Sequence, residues 1–253
     1  MIDVHPTAQV DSTAQLHPGA VVGAHSVVGP DCVIHRYGIV GPHTTLGARC
    51  EVHPFAVIGG PAQDRRTAPE APFTLVCGPE NIFREGVTVS RGTAHGGGET
   101  RLGAENLLMA HSHVGHDAQL GDQNTLANGV SVAGHVCIGD RVNLGGHAGV
   151  HQFVRIGDLA FIAANAMVSG DVPPFTLVSG DRARIVGLNV TGLKRAGLSQ
   201  PVRSALSGAL KRFYAPGPQR EVASLHLSDP TPEVAHMAHF VVHSERRGIR
   251  RGR

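Results

Sequence analysis

Seventeen histidines stand in this 253-residue chain, and four of them, with one aspartate, are spaced in a way that could do chemistry. An imidazole has an unperturbed pKa of about 6.5, so it can take up or release a proton near neutral pH, and its ring nitrogens also bind metals. His113, His116, His135 and His151 occupy nearly the same phase of an 18-residue period. Gln152 lies 18 positions beyond Gly134, and Gly134 lies 18 beyond His116. If the chain winds once every 18 residues, with coils about 4.8 Å apart, these groups fall on one face within about 10–15 Å of each other. Asp117 follows His116 directly and supplies a carboxylate. His5, His17, His35 and His53 all lie at multiples of six from one another, at the same place in a shorter six-residue repeat, and read as structural. Cys32 and Cys50, also 18 apart, read as stacked core thiols.

The elements that must position this cluster are written in a shorter period. From Val4, every sixth residue is aliphatic: Val10, Leu16, Val22, Val28, Ile34, Val40, Leu46, Val52 and Ile58. The fifth position of each hexad is small, as at Ala8, Ala14, Ala20, Ser26 and Cys32. The register is expected to break between about Gly59 and Thr100, with loops over about 60–75 and 91–101. It resumes at Leu102 and continues through Leu108, Val114, Leu120, Leu126, Val132, Ile138, Leu144, Val150, Ile156, Ile162 and Val168. A helix of 3.6 residues per turn cannot keep a six-residue stripe on one face, and a plain strand alternates with period two. Short strands with a corner every six residues can, if three of them close one 18-residue coil and the coils stack as a parallel solenoid. The repeat stops after VPPF at Val172–Phe175. The expected organisation is therefore a β-solenoid over 1–180 and a small helical domain over 181–253. Its helices fall in NVTGLKRAGLSQPVRSALSGALKRFYA and, after a PGP turn, in PEVAHMAHFVVHSERRG, and they cap the open end of the solenoid.

Composition agrees with this class and excludes others. Glycine numbers 33, tryptophan is absent, aromatic residues are 4% and charged residues 17%. Such a chain has too few Leu, Glu and Lys for a helical globule and too little charge for disorder. No apolar run reaches the 18 residues of a transmembrane helix, and MIDVHPTAQVDS has neither the basic nor the apolar region of a secretory signal. A cytoplasmic protein is expected. The four cysteines show no CxxC spacing, which argues against a disulfide framework or a zinc knuckle. Residues 176–253 carry 13 Lys and Arg against 5 Asp and Glu, whereas the first 175 carry 9 against 15. The basic part lacks the aromatics of a nucleic-acid surface and suits an acidic partner or a phosphate-bearing ligand.

The hexad pattern resembles the left-handed β-helix family, and the handedness is an implication of that resemblance. A narrower one rests on NLLMAHSHVGHD at Asn106–Asp117. With it go QD (Gln63, Asp64), RGT (Arg91–Thr93), the GGG run, LAN (Leu126–Asn128), AGH (Ala133–His135), VHQF (Val150–Phe153), DVPP (Asp171–Pro174), GLNVTGLKR (Gly187–Arg195) and the closing RGIR. In this order, over nearly the whole chain, they resemble the acyl-(acyl-carrier-protein)–UDP-N-acetylglucosamine O-acyltransferases, which open lipid A biosynthesis. The resemblance implies a homotrimer with active sites in the clefts between subunits. It implies transfer of an (R)-3-hydroxyacyl group from acyl carrier protein to the 3-hydroxyl of UDP-N-acetylglucosamine, without metal or other cofactor. His116 would be the general base, Asp117 its orienting partner, and the Gly134 N–H the donor to the oxyanion. Asp64, and Arg66 in place of a family lysine, would contact substrate. His113, His135, His151 and Gln152 would hold the sugar and nucleotide, and Asn189 and Arg195 would reach the uridine diphosphate from a neighbouring subunit. Ala164 aligns with the residue that limits acyl length.

The chain departs from the family where Ala196 follows Arg195 in place of a second arginine, so Arg182 or Arg184 would have to supply that phosphate contact. His111 stands where relatives carry Asn or Tyr. Rival readings are a related acyltransferase acting on a 3-amino sugar nucleotide, a γ-type carbonic anhydrase, a coenzyme-A-dependent acetyltransferase and a scaffold without catalysis. The carbonic anhydrase reading would use His111 and His116 as zinc ligands, but no histidine lies between His53 and His95 to supply the third.

Overall fold

One inward side chain per hexad sets the whole architecture. In the computed structural model, which describes residues 1–68, 71–215, 219–244 and 248, most strands are only two residues long. Each presents its second residue inward, as in Val21–Val22, Val33–Ile34 and Ser131–Val132. The strands form three sheets of nine, eight and ten strands among the described residues, parallel except for the last strand of the third, and the chain visits the sheets in turn. The result is a left-handed parallel β-helix of triangular section. Each coil is joined to the next by backbone hydrogen bonds such as His113 N–H to Val130 O at 2.8 Å and Gly115 N–H to Val132 O at 2.8 Å.

The corners explain the six-residue step. The fourth hexad position repeatedly adopts a left-handed backbone, at His25, Asp31, Tyr37, His43, Arg49 and Phe55 and again from Glu105 to Asn165, with φ between 54° and 66°. Such φ values are uncommon outside glycine, and His, Asn and Asp are several-fold enriched there. Small buried residues fill the inner angle of each corner: Ala20, Cys32, Cys50, Ala56, Ala118, Ala148. Where asparagine takes that place its amide serves the ladder. Asn81 Oδ1 accepts from Asn106 N–H at 3.0 Å, Asn106 Oδ1 from Asn124 N–H at 2.9 Å, and Asn124 Oδ1 from Val142 N–H at 2.8 Å. Cys32, Cys50 and Cys77 are buried and all four cysteines are free. Along one edge His17 stacks on His35 and His53 lies tilted against it, with ring centroids 5.4 and 4.6 Å apart.

The expected break over 59–100 needs correction. The coils run through it. Cys77 registers between Leu46 and Leu102, Phe83 between Val52 and Leu108, and Val89 between Ile58 and Val114. Only the spacing changes. Ile58 pairs 31 positions on and Val89 pairs 25 positions on, instead of 18. Two corners have looped out by 13 and 7 residues while the inward stack stays in step.

Phe83 is fully buried and is the largest side chain of the inward stack. Phe83→Ala should lower stability by about 3–5 kcal/mol, because flanking valine and leucine one coil away cannot collapse into the space. A urea titration checks this.

The winding ends when Arg184–Leu188 pairs antiparallel with Thr176–Ser179. Among the described residues four helices follow: α1 (Val190–Arg195), α2 (Gln200–Phe213), α3 (Gln219–Ser224) and α4 (Pro232–Val242). Helix α3 has no counterpart among the helices expected from the sequence. Both the PGP turn (216–218) and most of RGIR (247, 249, 250) lie outside the described residues. Leu206, Phe213, Val234 and Met237 form a core of their own together with Phe175. The helices dock on the last coils. Arg155 lies over the Phe240 ring at 4.7 Å and donates to His243 O at 2.8 Å, and His236 pairs with Asp158 at 2.9 Å. That carboxylate raises the His236 pKa, and the imidazole lowers that of Asp158. Among the described residues no helix is long and apolar enough to cross a membrane.

Candidate active site

His116 and Asp117 sit at the corner that follows strand His113–Val114, and both are buried. Asp117 holds the left-handed corner position with φ 59°. This bend points its carboxylate back at its own neighbour, and His116 Nδ1 lies 2.8 Å from Asp117 Oδ2. The carboxylate is itself fixed. Oδ1 accepts the Thr93 N–H at 2.9 Å, Oδ2 accepts the Thr93 hydroxyl at 2.6 Å, and the Asp117 N–H donates to Thr100 Oγ1 at 2.7 Å. A carboxylate can only accept, so it places the imidazole proton on Nδ1 and leaves Nε2 with a free lone pair.

Gly134 stands one coil above. A Cβ there would come within 2.8 Å of His116 Cε1 and Nε2, so glycine is what lets the backbone approach that imidazole. Ladder pairs place Ser131, Gly149 and Met167 in line above His113 on the adjoining face. Together they line a groove of about 570 Å³ that also takes in Gln63, Ser90, His151, Gln152 and Arg182. The His135 ring meets His116 edge-on at 5.0 Å and stacks on Phe153 at 4.5 Å. His113 accepts or donates one bond with Thr88 Oγ1 at 2.8 Å. Burial, helped by the nearby His116, pushes its pKa down.

Asp64 lies on the first insertion, and its carboxyl is held well below the usual range by a two-pronged pair with Arg66 at 2.7–3.2 Å. Gln63, the residue before Asp64, lines the groove, so the pair stands beside it. The structure thus brings His113, His116, Asp117, Gly134, His135, His151 and Gln152 together, with Asp64 and Arg66 alongside. It does not bring Ala164, Asn189 or Arg195 there. Asn189 and Arg195 line a separate cavity of about 250 Å³ with Arg141, Phe161 and Ala196. The Asn189 side chain caps α1 at Gly192 N–H, 3.0 Å, and donates to Leu159 O at 2.9 Å. Ala164 is absent from the residues lining the groove, whereas Met167, later in the same hexad, is among them.

Sequence reasoning missed Thr93, Thr100, Gly96 and Met167. The RGT and GGG stretches held the signal for the loop, but not its target. His111, the other member of the proposed zinc pair, stands at a different corner from His116, against Gly86. The potential ligand group near the dyad is His116, Asp117 and His135.

Comparison with known proteins gives consistent likenesses. A family model described as UDP N-acetylglucosamine O-acyltransferase, domain 2, matches residues 171–250. An acyl-(acyl-carrier-protein)–UDP-N-acetylglucosamine O-acyltransferase of Anaeromyxobacter is 44% identical over 120 residues, 47% of each chain. One of Syntrophobacter fumaroxidans is 42% identical over 222 residues, 85% of this chain and 86% of the relative. The crystal structure of a Francisella novicida UDP-N-acetylglucosamine acyltransferase superposes with a TM-score of 0.93 at 32% identity, covering 99% of this chain and 92% of that one.

Proposed function

The chain belongs to the acyl-(acyl-carrier-protein)–UDP-N-acetylglucosamine O-acyltransferase family, and from that premise we propose that it moves an (R)-3-hydroxyacyl group from acyl carrier protein to the 3-hydroxyl of UDP-N-acetylglucosamine, the opening step of lipid A biosynthesis. The observation that carries the mechanism is the His116–Asp117 pair beneath Gly134. His116 Nε2 removes the proton of the sugar 3-hydroxyl. The oxygen attacks the thioester carbonyl carbon, and the oxyanion of the tetrahedral intermediate accepts from the Gly134 N–H. Collapse breaks the C–S bond, and the imidazolium returns its proton to the leaving thiolate. The chemistry is complete with protein groups alone and needs no metal or cofactor.

Three copies are proposed to assemble around faces that this chain leaves apolar. Tyr37 and Phe55 are exposed yet stack at 5.7 Å, and Phe161 and Met167 stand out from two of the three sheets. In such a trimer the Asn189–Arg195 cavity of one subunit would complete the groove of the next and receive the uridine diphosphate, with Arg182 offsetting the missing arginine at Ala196. The acidic carrier protein would dock on the basic C-terminal region, where Lys194, Arg203 and Lys211 rim a groove of about 860 Å³. All of this suits a cytoplasmic enzyme.

Incubation with UDP-N-acetylglucosamine and (R)-3-hydroxyacyl carrier proteins of increasing length tests the reading. Product from at least one donor is expected. Transfer to the 3-amino sugar nucleotide alone would shift the function to the related acyltransferase, and zinc-dependent hydration of carbon dioxide would replace it. The same panel tests the length limit. Met167 lies three coils above His116, on the order of 14 Å, so Met167→Gly should move the optimum to longer chains. Ala164→Gly should do so less. An unchanged optimum in Met167→Gly would leave Ala164 as the limiting residue.

A further inference from the structure

At the edge of the β-helix, far in sequence from the catalytic corner, Glu51 and His53 share one coil and His35 stands on the coil before it. Their registered strands, Val33–Ile34 against Glu51–Val52, set that juxtaposition. One ligand atom from each of the three lies within 4.8 Å of the others. The His53 ring is held between two carboxylates, with Nε2 3.3 Å from Glu51 Oε2 and Nδ1 3.4 Å from Glu85 Oε1. The first distance is long for a hydrogen bond but close to the edge of a tetrahedron whose metal–ligand bonds are about 2.0–2.1 Å, an edge of about 3.4 Å. The second, at 3.4 Å, is no shorter, and it sets a carboxylate beside the ring's other nitrogen, the side from which one can orient a metal-bound histidine. His17 stacks on His35 with an interplanar angle of 7° and limits the tilt of that ring.

We propose that His35, Glu51 and His53 form a binding site for a borderline divalent cation of the zinc class, with Glu85 orienting His53 and water completing the coordination. Two imidazoles and one carboxylate suit zinc, and cobalt as its spectroscopic stand-in, better than calcium or magnesium, which take all-oxygen shells. The ion would tie two successive coils together near the start of the solenoid, so it would be structural and separate from acyl transfer.

Titration of the metal-free full chain with Co²⁺, followed by visible absorption, and with Zn²⁺, followed by thermal melting, tests this. The wild type should gain tetrahedral cobalt bands and a melting midpoint that rises with zinc, since a ligand that binds only the folded state stabilises it by mass action. Glu51→Gln/His53→Asn and, independently, His35→Gln should lose one equivalent and the zinc-dependent rise, with their metal-free midpoints near the wild type. The second candidate group, at His116, is controlled by His135→Ala, which should keep the equivalent assigned here. The proposal is overturned if the wild type takes up neither cation, or if the edge variants bind as the wild type does while His135→Ala loses the ion.

Discussion

Replacing His116 with alanine is expected to lower kcat by about 10²–10⁴-fold, the range that a positioned general base contributes, with KM for UDP-N-acetylglucosamine moving far less. The reason is local. The imidazole makes one bond, from Nδ1 to Asp117, and its Nε2 faces the backbone of Gly134 across the groove. Removing it takes away the proposed proton acceptor and leaves the β-helix ladder intact. Asp117→Asn separates orientation from basicity. Asparagine tolerates the left-handed corner that Asp117 occupies at φ 59°, so the backbone should survive. The amide, however, no longer fixes the proton on Nδ1, and the imidazole can present the wrong tautomer to the substrate. A large fall in kcat for both variants, with unchanged melting midpoints, is the expected pattern. Wild-type turnover in His116→Ala would remove the histidine from the chemistry altogether.

The reach of the sequence follows from the geometry of a solenoid. Parallel coils turn sequence separation into height, so a period of 18 is enough to gather His116, Gly134 and Gln152. The six-residue stripe is legible wherever the inward residue is Val, Ile or Leu. It fades between Ile58 and Leu102 because Cys77 and Phe83 take inward places, and because two insertions alter the count without disturbing the register. A corner can loop out freely, since only the inward side chain and the ladder hydrogen bonds must match from coil to coil. For the same reason the target of an inserted loop is invisible in the sequence. Nothing in RGTAHGGG says that Thr93 will hold a carboxylate 24 residues later. Ala164 and Met167 are three residues apart, and which of them enters the groove depends on whether the position falls on a corner or a face. Ala164 is at a corner, and Met167 is on the face above Gly149.

That inserted loop yields the second large effect. Gly96 lies against Asp117 so closely that a Cβ there would sit 2.0 Å from the carboxyl carbon and 2.2 and 2.4 Å from its two oxygens. Ordinary contact starts near 3.4 Å, so Gly96→Ala must push the carboxylate or the loop by more than about 1 Å. The carboxylate has little freedom, being tied to the Thr93 N–H and hydroxyl and to His116, while the backbone N–H of Asp117 is held by Thr100. The loop is tied as well, since Gly96 N–H and Gly98 N–H both donate to Thr93 O. Whichever yields, the Nδ1 bond is lengthened and the imidazole turns. A displacement of about 1 Å in a catalytic group costs on the order of 10²-fold, so Gly96→Ala should lose about that much kcat. Gly97→Ala is the matched control. It has a left-handed φ of 100° but open space around it, so it should cost on the order of 1 kcal/mol of stability through backbone strain and leave kcat near the wild type. If Gly97→Ala lost as much activity as Gly96→Ala, general disorder of the loop, and not the contact with Asp117, would be what governs the base.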